Sequence, residues 1–174
     1  MELRSETPAD HAAIRALVDA AFGGTMESLL IDLIRASDRF VPDLSLVALA
    51  DGNPVGHVLF SYVTITGEDD HQVLSLAPLA VHPDHQGVGV GSALVEEGLA
   101  RIAERGESLV VVEGHPGYYP RFGFEIASRH GIEKAAPQVP DAAFMVRWLT
   151  APDPRYRGRL VYPPAFHEAD AIDP

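Results

Sequence analysis

The residues best suited to chemistry lie in one stretch, Leu79-Ala80-Val81-His82-Pro83-Asp84-His85-Gln86-Gly87-Val88-Gly89-Val90-Gly91-Ser92-Ala93-Leu94. It reads as an apolar strand, a glycine-rich turn and the start of a helix. Gly87, Gly89 and Gly91 alternate, so backbone N–H groups can approach a ligand with no Cβ in the way. The helix that follows leaves its first N–H groups unpaired and points the positive end of its dipole at the same spot. The chemistry this predicts is anion binding, and a pyrophosphate fits it best.

Three phosphate-binding patterns can be set against this turn. A P-loop needs a lysine after its last glycine, but Gly91 is followed by Ser92-Ala93. A dinucleotide turn, G-x-G-x-x-G, counted from Gly87 meets Ser92 at its last position, and it would ordinarily open a domain rather than follow several strand-like segments. The third pattern, Gln/Arg-x-x-Gly-x-Gly/Ala, is met at every position from Gln86 to Gly91. A glycine turn without any ligand is the plain alternative. A second motif, Gly117-Tyr118-Tyr119-Pro120-Arg121-Phe122-Gly123-Phe124, follows the apolar run Ser108-Leu109-Val110-Val111-Val112. Tyr119 stands four residues before Gly123. On residue type alone it could serve as packing beside a glycine that ends a turn.

With these two motifs in this order, the chain resembles the GNAT superfamily of N-acetyltransferases, and within it a subgroup of small enzymes. The resemblance spans roughly Leu3 to Leu149, with specific motifs only at Leu79–Leu94 and Tyr119–Phe124. It implies an α/β fold whose central, mostly antiparallel sheet has roughly six or seven strands, a parallel central pair and about four flanking helices. It implies acetyl-CoA as co-substrate, no metal, and acetyl transfer to a primary amine of a small molecule or protein by direct attack in a ternary complex. By the same resemblance, backbone groups of Leu79, Ala80 and Val81 align the pantetheine arm. Amides of Gln86, Gly87, Val88, Gly89, Val90 and Gly91 hold the pyrophosphate, with the Ser92 hydroxyl nearby. Tyr119 is the general acid that protonates the departing thiolate. Many members carry an asparagine before the tyrosine to contact pantetheine, whereas Val112-Glu113-Gly114-His115-Pro116 has none. Glu113 is taken as the base, with His115, Glu27 and Glu133 as competitors, since a carboxylate or imidazole within one water of the amine suffices. A non-catalytic acyl-CoA-binding or sensor module is the alternative reading, and the retained Tyr119 speaks for the enzyme. The resemblance leaves room for a homodimer without marking an interface.

Composition narrows the classes. The chain has 174 residues, 47% apolar and 22% charged, which suits one globular domain with a proper core. It has no cysteine, so disulfides, thiolate metal sites and a cysteine nucleophile are excluded. A net charge of −12 opposes nucleic acid, whose binding rests on Lys and Arg, and mildly favours cationic acceptors. No apolar run reaches the roughly 18 residues of a membrane span, and Met1–Glu6 lacks the pattern of a signal peptide, so a cytoplasmic protein is expected. His82 and His85 flank Asp84, yet no helical His-x-x-x-His supports a metal site. No Gly-x-Ser-x-Gly elbow supports a serine hydrolase. Arg101, Arg105 and Arg121 read as solvated helix-end charges that could reach a ribose phosphate.

These residues need a frame. Residues 1–150 read as the catalytic domain and 151–174 as an extension with a short last strand at Leu160–Tyr162 and a frayed final eight residues. An edge strand runs from Glu2 to Thr7. Thr7-Pro8 starts a helix carrying Ile14, Leu17, Val18 and Ala21, which Gly23-Gly24 stops. A second helix over 25–37 is expected to bury Met26, Leu29, Leu30, Leu33 and Ile34. Leu44–Ala50 and Val55–Thr66 form a hairpin around Asp51-Gly52-Asn53-Pro54. His71–Val81 is apolar on both parities, as befits a central strand, and Pro78 predicts a bulge inside it. The helix from Gly89 to Arg105 turns Leu94, Val95, Leu99 and Ile102 inward, and Gly98 permits close approach to the sheet. Leu109–Val112 is the parallel partner of Val73–Val81, Phe144–Leu149 a further strand, and Gly131–Asp141 a loop.

Overall fold

The computed structural model describes residues 1–172. Among them are the helices α1 (His11–Phe22), α2 (Met26–Arg35), α3 (Val90–Glu104) and α4 (Pro164–Ile172). The strands are β1 (Glu2–Ser5), β2 (Phe40–Ala50), β3 (Asn53–Thr66), β4 (His71–Val81), β5 (Leu109–Glu113), β6 (Glu125–Ile126), β7 (Ile132–Glu133), β8 (Phe144–Trp148) and β9 (Gly158–Val161). All nine belong to one sheet, whose main path runs β1-β2-β3-β4-β5-β8-β6. β9 extends the β2 side by pairing with β3, and β7 pairs with β9. The expected α/β class and the parallel central pair β4–β5 are present. Three short strands, β6, β7 and β9, raise the count above the six or seven expected, and β7 with β9 makes a second parallel pair.

β4 is central because Val73, Leu74, Ser75 and Leu76 are buried on both parities. Its even positions Leu74 and Leu76 join Val58, Phe60, Val110 and Val112 under α3. Gly98 brings α3 down onto this face, since a methyl there would run into the Phe60 ring. On the opposite face two apolar clusters lie side by side. Leu59 packs with Ile14, Val18, Ile31 and Ile34 of α1 and α2. Val63 packs with Val73, Val111, Phe144 and Leu160. Between Leu59 and Val63 the same strand face carries Ser61, opposite Ser75 of β4.

The β4–β5 ladder is short: Leu74 with Val110, Ser75 with Val111 and Leu76 with Val112. Beyond Leu76 the register of β4 on β3 also shifts, so that Ala77 and Pro78 together oppose Leu59. That is the bulge expected at Pro78, because proline has no N–H for a ladder. From here to Val81 the edge of β4 facing β5 lies beyond the β5 ladder.

Other expectations are corrected. α2 fully buries Ser28, Ile31 and Ile34, while Met26, Leu29, Leu30 and Leu33 are half-buried. Ser28 is accommodated there because its hydroxyl donates to the Thr25 carbonyl (3.0 Å). The segment expected as a loop at 131–141 contains β7. The tail adds the last strand at Gly158–Val161, and residues 167–172, expected to be frayed, lie within α4. The rest of that expectation, Asp173 and Pro174, falls outside the described residues.

A buried ion cluster ties the first strand to this frame. Arg35 holds Glu6 with two bonds, Nε to Oε1 at 2.8 Å and Nη2 to Oε2 at 2.7 Å. His57 Nε2 lies 2.9 Å from Glu6 Oε2 and 3.0 Å from Ser45 Oγ. The carboxylate can only accept, so the imidazole proton sits on Nε2. Burial works to raise the Glu6 pKa, but hydrogen bonds from His57 and Arg35 prevail and hold it at about 2. Burial lowers the pKa of His57, which the Glu6 bond only partly offsets. Both shifts make the unfolded chain bind more protons than the folded one, so stability rises with pH. Thermal melts should therefore lose stability as pH falls below about 6.5, and lose about 3 kcal/mol more between about 4.5 and 2 as Glu6 protonates. Glu6→Gln should remove the lower limb and itself cost about 3 kcal/mol at neutral pH, because Arg35 then loses its bidentate partner.

Candidate functional site

The turn between β4 and α3 is shaped by its glycines. Gly87 has φ 75° and Gly89 φ 94°, a left-handed region that L side chains enter at a cost. Gly89 is the N-cap of α3, so the open N–H groups of the first helical turn face the loop. Gln86 does not reach outward. Its Nε2 donates to the Val81 carbonyl (3.1 Å) and straps the loop to the end of β4.

A groove of about 460 Å³ lies along the free end of β4 and over this helix start. Of the residues singled out by sequence, Leu79, Val81, Gln86, Gly87, Gly89, Val90, Gly91 and Ser92 line it. Two side chains do not. Ala80 turns to the other face, opposite His57 and within the α1–α2 cluster, and Val88 is 74% exposed at the loop tip. Any role of theirs is confined to backbone groups.

The second motif supplies the outer wall, and the tyrosine at the wall is Tyr118. A Cβ at Gly91 would lie 2.8 Å from the Tyr118 hydroxyl, so a side chain there would displace the end of the tyrosine. Arg121 also lines the groove. Its guanidinium sits 4.7 Å over the Tyr118 ring, and its Nε donates to the Tyr118 carbonyl (2.9 Å). Arg101 and Arg105 are engaged elsewhere, Arg101 with Glu97, Ser5 and the Asp43 carbonyl, Arg105 with Tyr62. Residue types did not separate the three arginines; the spacing of Arg121 from Tyr118 on one helical turn is the signal that could have.

Tyr119 is 8% exposed. It stacks edge-on against Tyr118 and Phe124, and its ring is so close to Gly114 that a methyl there would collide with it. It thus stands at the C-terminal end of β5, inward of Tyr118. Burial, with a smaller push from Tyr118, moves its pKa up to about 12.

Glu113 ends β5, on the face away from α3 by alternation with Val111. Burial raises its pKa, against a hydrogen bond from the Tyr162 hydroxyl. Its Oε1 is buried with no hydrogen-bond partner among the described residues. The competing bases are placed differently. His115 Nδ1 accepts from the Gly117 amide (3.0 Å), Glu133 faces Arg159 at 3.3 Å on the surface, and Glu27 sits in the first turn of α2. No spacing in the sequence marks Tyr162, which meets Glu113 only through the fold. No group of three or more His, Cys, Asp or Glu able to hold a metal occurs among the described residues, nor any helix long and apolar enough to cross a membrane.

A mixed sheet whose parallel strands part beside a glycine-rich loop and a helix start defines an α/β protein with a groove along the end of a strand. Comparison with known proteins agrees. The family model for the acetyltransferase (GNAT) domain matches residues 2–127. The uncharacterized N-acetyltransferase YhbS of Escherichia coli K12 is 40% identical over 150 residues, 86% of this chain and 87% of its own. The uncharacterized N-acetyltransferase YjhQ of the same strain is 38% identical over 146 residues, 82% and 81%. The crystal structure of E. coli YhbS in complex with CoA superposes with a TM-score of 0.86 at 35% identity, over 95% of this chain and 91% of that one. A GNAT family acetyltransferase from Brucella melitensis in complex with acetyl-CoA gives 0.78 at 33% identity, over 95% and 97%. The chain belongs to the GNAT acetyltransferase family.

The loop by itself should answer to a simple anion. Inorganic pyrophosphate at ten times its Kd should raise the melting temperature by about 4 °C. Gly89→Glu should abolish the rise, since it adds both a strained φ and a negative charge. A pyrophosphate shift retained in Gly89→Glu would remove this loop from anion binding.

Proposed function

We propose that this protein transfers an acetyl group from acetyl-CoA to a primary amine by direct attack within a ternary complex. The observation that carries the reading is the free edge of β4 from Ala77 to Val81, running into the Gln86–Ser92 loop. An extended pantetheine arm can hydrogen-bond to that edge as an added strand would, while the loop amides and the start of α3 take the pyrophosphate. The relatives solved with CoA and acetyl-CoA support the same donor here. Arg121 is the cation of the groove wall and faces the phosphates.

Each residue then has a role. Backbone groups at Leu79, with Ala80 and Val81, align the thioester and polarise its carbonyl. The neutral amine attacks that carbon, the C–S bond breaks, and Glu113 accepts the proton the amine loses. Tyr119 donates its own proton to the departing sulfur, giving free CoA and the amide, and the two side chains re-equilibrate through solvent. A phenol at about 12 is a weaker acid than a thiol near 8.5, so the proton moves as the C–S bond breaks, and position carries the benefit. With no cysteine in the chain, no acyl-cysteine intermediate enters.

Calorimetry should find acetyl-CoA binding at micromolar Kd, and thiol release should follow when amines are supplied. Tyr119→Phe should lower kcat roughly tenfold or more while leaving Kd within twofold. Binding of acetyl-CoA without turnover on any amine would make the protein an acyl-CoA-binding module instead. Because burial raises the Glu113 pKa, kcat/KM should fall with decreasing pH at a point above the ordinary carboxylate value of about 4.3. Glu113→Gln should erase that limb.

A further inference from the structure

On the sheet face away from α3, a row of polar groups interrupts the apolar packing. Ser61 and Ser75 are directly opposite one another on β3 and β4 and are 0% and 1% exposed. Neither hydroxyl has a hydrogen-bond partner among the described residues, and neither does Glu113 Oε1. Buried polar atoms without partners are costly, and although among the described residues His57 Nδ1 and Trp148 Nε1 on this face also lack one, only the two serines and Glu113 lie on the strands at the end of the β4–β5 ladder. Ser75 is in register with Val111, two residues before Glu113. Strand rise and spacing therefore put Ser75 about 8 Å and Ser61 about 12 Å from Glu113 between Cα positions.

The row is bounded in a telling way. Leu59 before Ser61 belongs to the α1–α2 cluster, and Val63 after it to the β8–β9 cluster. Tyr162 packs on the second of these and Phe166 on the first, and their rings stack at 4.5 Å and 25°. The stack links the two clusters that flank Ser61 along β3, and the Tyr162 hydroxyl is the group that interacts with Glu113. The row also abuts the place where β4 parts from β5, where the reaction proposed above takes place.

We infer that this row seats the acceptor, and that the acceptor is a small primary amine bearing a neutral hydroxyl or amide group about two to four carbons away. The inference rests on the acetyl-transfer reading of the same site. The free oxygen of Glu113 receives the amine, and the neutral group satisfies Ser61 and Ser75, which can each donate and accept. An alkylamine, or a protein lysine with its bare methylene chain, leaves both serines unsatisfied. A carboxylate-bearing amine brings a second negative charge beside Glu113 into a buried site.

The test compares 3-aminopropanol, butylamine, β-alanine and a lysine-containing peptide as acceptors, by thiol release and by calorimetric titration into protein saturated with CoA. The expected result is a kcat/KM for the amino alcohol at least tenfold above butylamine and above β-alanine and the peptide, with the same order in amine binding. Ser61→Ala and Ser75→Ala should each bring the amino alcohol to butylamine ratio toward one, mainly through KM, with melting curves checking that both variants fold. Equal use of the amines, preference for the peptide, or a ratio untouched in both serine variants would overturn the inference while leaving acetyl transfer intact. Failure of acetyl-CoA itself to bind would overturn both.

Discussion

Three ladder pairs hold β4 to β5, and then the two strands part. A parted parallel pair at the centre of a sheet leaves main-chain groups that must find partners. The rest of the molecule is arranged around that demand. The bulge at Ala77-Pro78 turns the strand edge, the Gln86 side chain fixes where the strand ends, and α3 begins where the strand's line would continue. Gly98, buried against Phe60, allows α3 to lie close enough to the sheet for its first turn to face the groove. The donor side is thus written in backbone, with side chains mainly setting its shape.

The opposite face uses side chains, in two contrasting ways. Glu6 has its charge met by Arg35 and His57 in fixed geometry, and the cluster joins β1, α2 and β3. Its carboxylate is held ionised and does nothing but fasten. Glu113 has the Tyr162 hydroxyl beside it and Oε1 without a partner among the described residues, in surroundings that favour its neutral form. Two buried carboxyls in one small protein therefore differ by how completely they are satisfied: complete pairing locks a structure, and incomplete pairing leaves a group available for a proton or a ligand.

The legible part of this molecule was local. Glycines at alternate positions announce a left-handed turn, apolar residues on both parities announce a central strand, and Pro78 announces the break in it. These signals lie within a few residues of the features they cause, and α1, β2–β5, α3 and β8 follow from such local patterns. The misses share the opposite character. β6 and β7 are two-residue strands that exist only because a neighbour offers an edge. α4 is built from a segment whose prolines read as tail, and docking against α2 makes it a helix. The buried stripe of α2 shifts to Ser28, Ile31 and Ile34 because packing against α1 and α4 chooses the face. Tyr118 and Tyr119 are identical in type and adjacent in sequence, and only the turn between β5 and Gly123 sends one to the groove wall and the other against Gly114. Tyr162 and Glu113 are far apart in the chain, so no spacing rule could pair them.

The amide cradle at residues 86–91 has one more implication. Peptide N–H groups do not titrate in the range where carboxyls and imidazoles do, and glycine dihedrals do not depend on acidity. In the reaction proposed above, what these amides contribute to holding acetyl-CoA is therefore independent of the conditions that protonate Glu113. On that reading the two halves of the cleft divide the labour: fixed main-chain dipoles hold one substrate, and a titrating carboxyl serves the other.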